Sequence, residues 1–199
     1  MIELELKAVV PNLTSARARI EARGGRLTFS GRLEDTRYDR ADRSLTERDL
    51  VLRLRVYRDS SGAVTSASLD WKGPTGFSDG YKQREELNAD IGDPDMLAAI
   101  LDRLELVVTM RIDRAIWQYE LNGAVVRFER YPRMDDLVEV EGDPDAIEAA
   151  IQTLGLPRDS FTAERLPDFA HRFQARTGQI PALSLAELAG TIRYDVDNA

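Results

Sequence analysis

The chain has 199 residues, of which 43% are hydrophobic and 31% are charged, and its formal net charge at pH 7 is -8. This length supports one well-packed domain or two small ones, and we predict one. The chain contains no cysteine and a single histidine, His171, which excludes disulfides, thiolate metal sites and multi-histidine zinc sites. Its acidic balance argues against binding to duplex nucleic acid.

Targeting and membrane signals are not found in this sequence. No apolar run approaches transmembrane length, and no signal-peptide pattern of basic, apolar and small segments is present. We therefore expect a cytoplasmic protein with no membrane partner. His171 lies in an apolar-periodic segment, where we expect a packed or surface histidine rather than a catalytic one.

The first predicted strand has one apolar and one charged face. In residues 2–7 the apolar side chains alternate with Glu3, Glu5 and Lys7. Taken alone, such alternation is typical of a half-exposed strand whose charges face water. The pattern recurs, however, and further predicted strands carry charged alternate positions, at Arg53 and Arg55, Arg84 and Glu86, and Glu139 and Glu141.

The remaining elements follow in chain order. Strands are predicted near residues 2–9, 36–40, 50–58, 64–72, 81–91, 112–121, 124–130 and 136–141, and eight strands are enough to close a barrel. Helices are predicted at 12–23, 94–104, 144–154 and 163–177, with a short one at 185–188. Asp93 and Asp143 are expected to cap two of them, and Asn122-Gly123 predicts a hairpin turn. The tail beyond Gln179 is otherwise expected to be loosely held.

Basic residues gather at alternate positions of the predicted strands. They are Arg53, Arg55, Lys72, Lys82, Arg84, Arg114 and Arg127. Helices that follow charged strands would cover the apolar outer face of a sheet, so the charged face would point into a tunnel. Because burying unpaired charges is costly, such a lumen must contain water, have its charges paired with one another, or hold a charged ligand with metal ions. The pattern favours a small polyanion held inside an acidic protein.

The residues 3–7, Glu-Leu-Glu-Leu-Lys, resemble the N-terminal Glu-x-Glu-x-Lys signature of the CYTH superfamily, the triphosphate tunnel metalloenzymes. This superfamily includes class IV adenylate cyclases, thiamine triphosphatases and inorganic tripolyphosphatases. The resemblance continues in order through Tyr38-Asp39, Leu52-Arg53-Leu54-Arg55, Lys72-Gly73-Pro74, Arg84-x-Glu86, Arg114 and Glu139-Val140-Glu141. It implies an α+β fold, an eight-stranded antiparallel β-barrel with peripheral helices. We place one tunnel domain at residues 1–178 and a C-terminal tail with a short helix at 179–199.

Several positions depart from the family pattern. Ile112 stands where a basic residue is expected, with Arg111 beside it as a substitute, and Glu129 stands where aspartate is usual. Residues 133–136 replace a glycine turn, and Arg165-Leu166 takes the place of a Ser-Tyr element. These departures leave the fold assignment intact and leave the substrate open.

The resemblance also implies roles for individual residues. The substrate-binding set is Lys7, Arg53, Arg55, Lys72, Arg84, Glu86 and Arg114, in which the cations would hold phosphates. The metal ligands would be Glu3, Glu5, Glu139 and Glu141, since hard carboxylate oxygens suit Mg²⁺ or Mn²⁺. The catalytic set is these four glutamates together with Lys7 and Glu129.

The function predicted from the sequence is metal-dependent hydrolysis of inorganic triphosphate or a related triphosphate. The alternatives are a class IV adenylate cyclase, a non-catalytic triphosphate or nucleotide-binding module, and a barrel for an organic ligand. Strand alternation places the side chains of Trp71, Trp117 and Tyr119 toward the helices rather than the lumen. The sequence therefore shows no set of residues that would bind adenine by stacking and hydrogen bonds. The expected partner is a small polyphosphate substrate, and a homodimer is left open.

Overall fold

The computed structural model describes the backbone of residues 2–78 and 81–198, and the side chains of residues 4–77 and 81–198. The nine strands of the described residues are β1 (Ile2–Val9), β2 (Arg26–Asp39), β3 (Val51–Arg58), β4 (Val64–Lys72), β5 (Gly76–Ser78), β6 (Tyr81–Asp90), β7 (Val107–Leu121), β8 (Ala124–Arg130) and β9 (Leu137–Glu141). The α-helices are α1 (Leu13–Ala22), α2 (Pro94–Arg103), α3 (Pro144–Leu154), α4 (Leu166–Thr177) and α5 (Leu185–Leu188). None of the helices within this described part is long and apolar enough to cross a membrane.

Eight of the strands form a closed antiparallel barrel. Its order is β1-β9-β8-β7-β2-β3-β4-β6, and β1 pairs with β6 to close it. The short β5 pairs with the first residues of β6, with residues 76–78 opposite residues 81–83. The predicted fold class, an eight-stranded antiparallel barrel with peripheral helices, is confirmed.

Two strands extend well beyond their predicted bounds. The sequence predicted a strand at 36–40, whereas β2 begins at Arg26, and β7 begins five residues before its predicted start. These two strands pair along most of their length, with register shifts near Leu27 and near Arg37. Long-range pairing therefore extends strands whose local alternation is too irregular to mark their ends.

The apolar strand faces pack against the helices on the outside of the barrel. Leu6, Phe128 and Val140 lie in one cluster with Ile20 of α1 and Ile147 of α3, and all five are at most 1% exposed. Burying such side chains stabilises the fold by about 1.5–3 kcal/mol each. Since side chains alternate along a strand, this burial turns the intervening charged side chains into the lumen.

Local turn and cap signals are mostly confirmed. Asn122 and Gly123 both adopt positive φ, at 49° and 88°, which suits the tight β7–β8 hairpin. The Asp93 carboxylate accepts a hydrogen bond of 2.9 Å from the Met96 amide, as expected of a cap. Asp143 occupies the cap position of α3 with extended backbone, but its side chain makes no capping hydrogen bond.

Part of the C-terminal tail packs on the barrel, so the expectation of a loosely held tail was wrong for residues 182–184. Ala182 and Leu183 are at most 2% exposed, and Ala182 forms a β-bridge with Arg133. Leu183 and Phe169 of α4 join the cluster of Met110 and Leu137 at one end of the barrel. Apolar burial thus holds α4 and the tail over that end.

Candidate functional site

The barrel encloses a charged cavity of about 150 Å³. Among the described residues that line it, ten are basic and seven are acidic. A protein with a net charge of -8 therefore carries an excess of positive charge inside its barrel. Low-dielectric walls strengthen the field of these side chains, so the cavity is suited to a small anion with several charges.

Three glutamates form an acidic cluster in this cavity. Ligand oxygens of Glu5, Glu139 and Glu141 all lie within 4.8 Å of one another. Strand register explains the cluster: Glu5 on β1 lies directly opposite Glu141 on β9, and Glu139 shares the inward face of Glu141. An all-carboxylate oxygen set fits a hard divalent cation such as Mg²⁺ or Mn²⁺.

Two lysines neutralise much of this cluster. The Lys7 ammonium lies 3.0 Å from a Glu5 oxygen and also contacts Glu139, while the Lys82 ammonium contacts Glu5. Burial alone would lower the pKa of Lys7, but Glu139 and Glu5 raise it above its ordinary value. Burial would likewise raise the pKa of Glu139, yet Lys7 and Arg127 hold it well below the ordinary value. Lys7 and Glu139 therefore remain charged at neutral pH.

Asp35 organises the arginines on the other side of the cavity. Its side chain is buried, and the Arg55 guanidinium donates two hydrogen bonds to it, of 2.9 and 3.2 Å. Arg114 donates one of 2.9 Å, and the Arg53 Nη1 lies 3.6 Å away. Burial would raise the pKa of Asp35, but Arg55, Arg53 and Arg114 outweigh it and hold the pKa well below 3.8. One carboxylate thus fixes three of the predicted phosphate ligands.

Further carboxylates complete the orientation of the arginines. Asp70 accepts hydrogen bonds of 3.0 and 2.6 Å from Arg53. Glu129 accepts one of 2.6 Å from Arg114 and another of 2.6 Å from the Tyr131 hydroxyl. Both oxygens of Glu129 are used in this way, and Glu129 is not one of the three glutamates of the acidic cluster. An arginine has five N–H donors, so these pairings leave donors for a phosphate.

Lys72 and Arg84 also line this cavity, whereas Glu86 lines a neighbouring, wider cavity. The Lys72 ammonium lies 2.8 Å from Glu86, which also approaches Arg53 at 3.6 Å. Arg84 donates hydrogen bonds of 2.6 Å to the carbonyl oxygens of Gly73 and Asp49. The backbone of Glu3 pairs with that of Arg84, but the Glu3 side chain lies outside the described residues.

Arg111 does not replace the basic residue missing at position 112. Its side chain is exposed, while the Ile112 side chain lines the cavity. Side chains alternate along β7, so two adjacent residues cannot both face inward. His171 is exposed, which agrees with its predicted place outside the site, and Glu85 is exposed as well. Arg165 and Leu166, which take the place of the family's Ser-Tyr element, both line the cavity.

The two ends of the barrel differ. At one end, Asp197 and Asn198 of the tail line the cavity, and the Asn198 carbonyl accepts a 2.9 Å hydrogen bond from Arg37. Burial lowers the pKa of Arg37 to about 9, so it remains a cation at neutral pH. At the other end, a wider cavity of about 900 Å³ shares Arg55 and Glu141 with the first and includes Tyr57.

The sequence analysis gave no role to four cavity residues, which are Asp35, Arg37, Asp70 and Tyr131. Lys82 and Arg127 were counted among the basic residues of the predicted strands but were not assigned individual roles. Asp35 was missed because the second strand was predicted to begin at residue 36. Asp70 lies two positions before Lys72 on one strand, so its parity already indicated an inward side chain. Trp71, Trp117 and Tyr119 are not among the described residues lining either cavity, as their parity predicted.

Ligand binding gives a first test of the cavity. Tripolyphosphate with Mg²⁺ at about 100 times its Kd should raise stability by about 2.7 kcal/mol, or Tm by about 5–10 °C. Lys72→Ala and Arg55→Ala should reduce this shift in a thermal denaturation assay, because each removes a cation from the lumen. Arg26→Ala, at an exposed ion pair with Glu120, should leave it unchanged. A Tm that responds only to a neutral or apolar ligand would contradict a polyanion site.

The sequence and the fold were compared with those of known proteins. The model of the CYTH domain matches residues 1–154. Among curated proteins, none matches the sequence significantly. Solved structures share the fold at low identity. One is a Vibrio parahaemolyticus protein provisionally named an adenylate cyclase, with a TM-score of 0.72, 17% identity, and coverage of 85% of this chain and 97% of that one.

Two further structures show the same fold. A conserved hypothetical protein from Pyrococcus furiosus has a TM-score of 0.67 and 19% identity, over 84% of this chain and 99% of that one. An adenylyl cyclase candidate from Hippeastrum, described as having a dominant triphosphatase activity, has a TM-score of 0.58 and 18% identity, over 92% of this chain and 98% of that one.

Proposed function

The chain belongs to the CYTH domain family, and on this premise we propose that it hydrolyses inorganic triphosphate inside its barrel with a divalent metal ion. The observation that carries this proposal is the position of the acidic cluster beside the arginines held by Asp35, in one enclosed cavity. A triphosphate bound there would have cations along its length and carboxylates for an ion at one side. Neither group alone would distinguish a triphosphate from a simpler anion.

The cations bind and orient the substrate in this proposal. Arg53, Arg55 and Arg114 offer planar guanidinium donors, and Lys72 and Arg84 extend the positive surface. Since Asp35 and Asp70 hold these arginines before substrate arrives, little side-chain reorganisation is needed on binding. The result is a binding site that favours the phosphate chain itself over any group attached to it.

The acidic cluster supplies the remaining part of the chemistry. Glu5, Glu139 and Glu141 would hold Mg²⁺ or Mn²⁺, which would neutralise phosphate charge and act as a Lewis acid when bound. A carboxylate of the cluster can accept the proton of the attacking water. Water adds to the terminal phosphorus, the bridging P–O bond breaks, and phosphate and diphosphate are released.

A cyclase is the second candidate, and the wide second cavity favours it. That cavity adjoins Arg55 and Glu141 and has room for an organic group near Tyr57 and Asn88. Two of the similar structures also carry cyclase names. In such an enzyme a ribose hydroxyl would attack the α-phosphorus of ATP, releasing diphosphate.

Product analysis separates the two reactions. Purified protein should be incubated with tripolyphosphate, ATP or thiamine triphosphate, each with Mg²⁺ or Mn²⁺. We expect phosphate release from tripolyphosphate with a higher kcat/KM than any reaction of ATP, and negligible cyclic AMP. Cyclic AMP and diphosphate formed in equal amounts from ATP, more efficiently than tripolyphosphate is cleaved, would establish the cyclase instead. Tight binding of tripolyphosphate without turnover of any substrate would indicate a binding module.

A further inference from the structure

Arg127 is a buried arginine that contacts the acidic cluster directly. Its Nη1 lies 2.6 Å from a Glu139 oxygen and 3.3 Å from a Glu141 oxygen. These are two of the three carboxylates that could hold an ion. Arg127 lies directly opposite Glu139 across β8 and β9, so this contact follows from strand register.

A second contact fixes the orientation of Arg127. Its Nε donates a 3.0 Å hydrogen bond to the side-chain oxygen of Gln118, its partner across β7 and β8. The side chain is 9% exposed. A planar guanidinium held on both sides has little freedom to swing away. Lys7 and Lys82, by contrast, contact the cluster with compact ammonium groups on flexible stems, which can turn toward an arriving phosphate.

The charge of Arg127 is permanent. Burial would lower its pKa, but Glu141 and Glu139 raise it above the ordinary arginine value. A divalent ion that enters the cluster therefore meets a fixed positive charge bound to two of its ligands. Part of the attraction between the ion and the carboxylates is offset by repulsion from the guanidinium.

We propose that Arg127 is a resident counter-cation on the Glu139 and Glu141 side of the acidic cluster, which limits the cluster to one weakly held divalent ion. This inference rests on the proposed use of a metal ion and assigns Arg127 a role in the affinity for that ion. The guanidinium takes the place of a second ion and keeps the carboxylates together when no ion is bound.

Metal binding, measured apart from activity, tests the proposal. Mn²⁺ should be titrated into wild-type protein and Arg127→Gln, with the bound ion followed by electron paramagnetic resonance and calorimetry. The variant should bind Mn²⁺ at least about tenfold more tightly, or bind two ions where the wild type binds one. Arg130→Gln is the matched control, because it removes the same charge from the same strand at an exposed pair with Asp136.

Each outcome of the titration has one meaning. Unchanged or weaker Mn²⁺ affinity in Arg127→Gln, with a folded protein by circular dichroism, would overturn the role of Arg127 and leave the proposed function standing. Absence of Mn²⁺ binding from wild type and all variants at millimolar concentration would instead contradict metal use itself. If Arg127→Gln does not fold, Gln118→Ala is the variant to test, because it removes the hydrogen bond that orients the Arg127 guanidinium. Gln118→Ala should bind Mn²⁺ about threefold more tightly than the wild type. An unchanged affinity would overturn the proposal.

Discussion

Glu141→Gln and Glu5→Gln should each lower the kcat/KM for tripolyphosphate about a thousandfold. Each substitution keeps the shape of the side chain and removes the negative charge that the cluster offers to a divalent ion. Such metal contacts contribute several kcal/mol to transition-state stabilisation, and about 4 kcal/mol corresponds to a thousandfold change in rate. Steady-state phosphate release at saturating Mg²⁺ or Mn²⁺ measures this effect.

Glu85→Gln is the control for these variants. Glu85 lies on β6 between Arg84 and Glu86, but its side chain is exposed on the outside of the barrel. The Glu85→Gln variant should retain the wild-type kcat/KM, because this substitution removes a negative charge without altering the lumen. Turnover close to that of the wild type in both Glu141→Gln and Glu5→Gln would show that the cluster does not support the reaction.

Asp35→Asn should destabilise the protein by about 3–5 kcal/mol in denaturant unfolding. The substitution removes the carboxylate shared by Arg53, Arg55 and Arg114, which then repel one another in a buried site. Removing one partner of a buried ion pair has a cost of this size because the remaining charge is left without compensation. Glu120→Gln, at an exposed pair with Arg26, should change stability by about 1 kcal/mol or less.

The effect of Asp35→Asn on the free energy of unfolding should also depend on pH. The pKa of Asp35 lies well below 3.8 in the folded protein, so its ionised form stabilises the fold fully above that value. This contribution is lost as the pH falls below about 4, toward the folded-state pKa. The difference in unfolding free energy between wild type and Asp35→Asn should therefore be constant from pH 6 to 8 and shrink in acid. A difference that stays constant down to pH 3 would contradict the ionised state of Asp35.

The ion pairs of the cavity have a common consequence for ligand binding. Lys7 and Lys82 are bound to the acidic cluster in the structure, and Lys72 is bound to Glu86. If the acidic cluster held a divalent ion as proposed, Lys7 and Lys82 would be released from its carboxylates and would be available to phosphate oxygens. In the absence of ligand, these ion pairs offset part of the free-energy cost of burying so many charged side chains in the lumen.

The sequence alone determined the barrel and most of the residues around its lumen. Alternation of apolar and charged residues is local information, since neighbouring side chains on a strand point to opposite faces. It placed Glu5, Lys7, Arg53 and Arg55 on the inner face before any pairing was known, and the family resemblance added their order along the chain. Helix positions were also predicted well, because caps and apolar periodicity are local signals.

Only the tertiary structure decided which of these charges meet. Asp35 and Arg55 are 20 residues apart, and Arg127 and Glu139 are 12 apart, so their contacts depend on strand register rather than on either local pattern. The same holds for the tail, whose Leu183 is buried only because Met110 and Phe169 converge at that end of the barrel. Local alternation determines the face on which a side chain lies, but its partner is set by long-range pairing, which no single segment of the chain encodes.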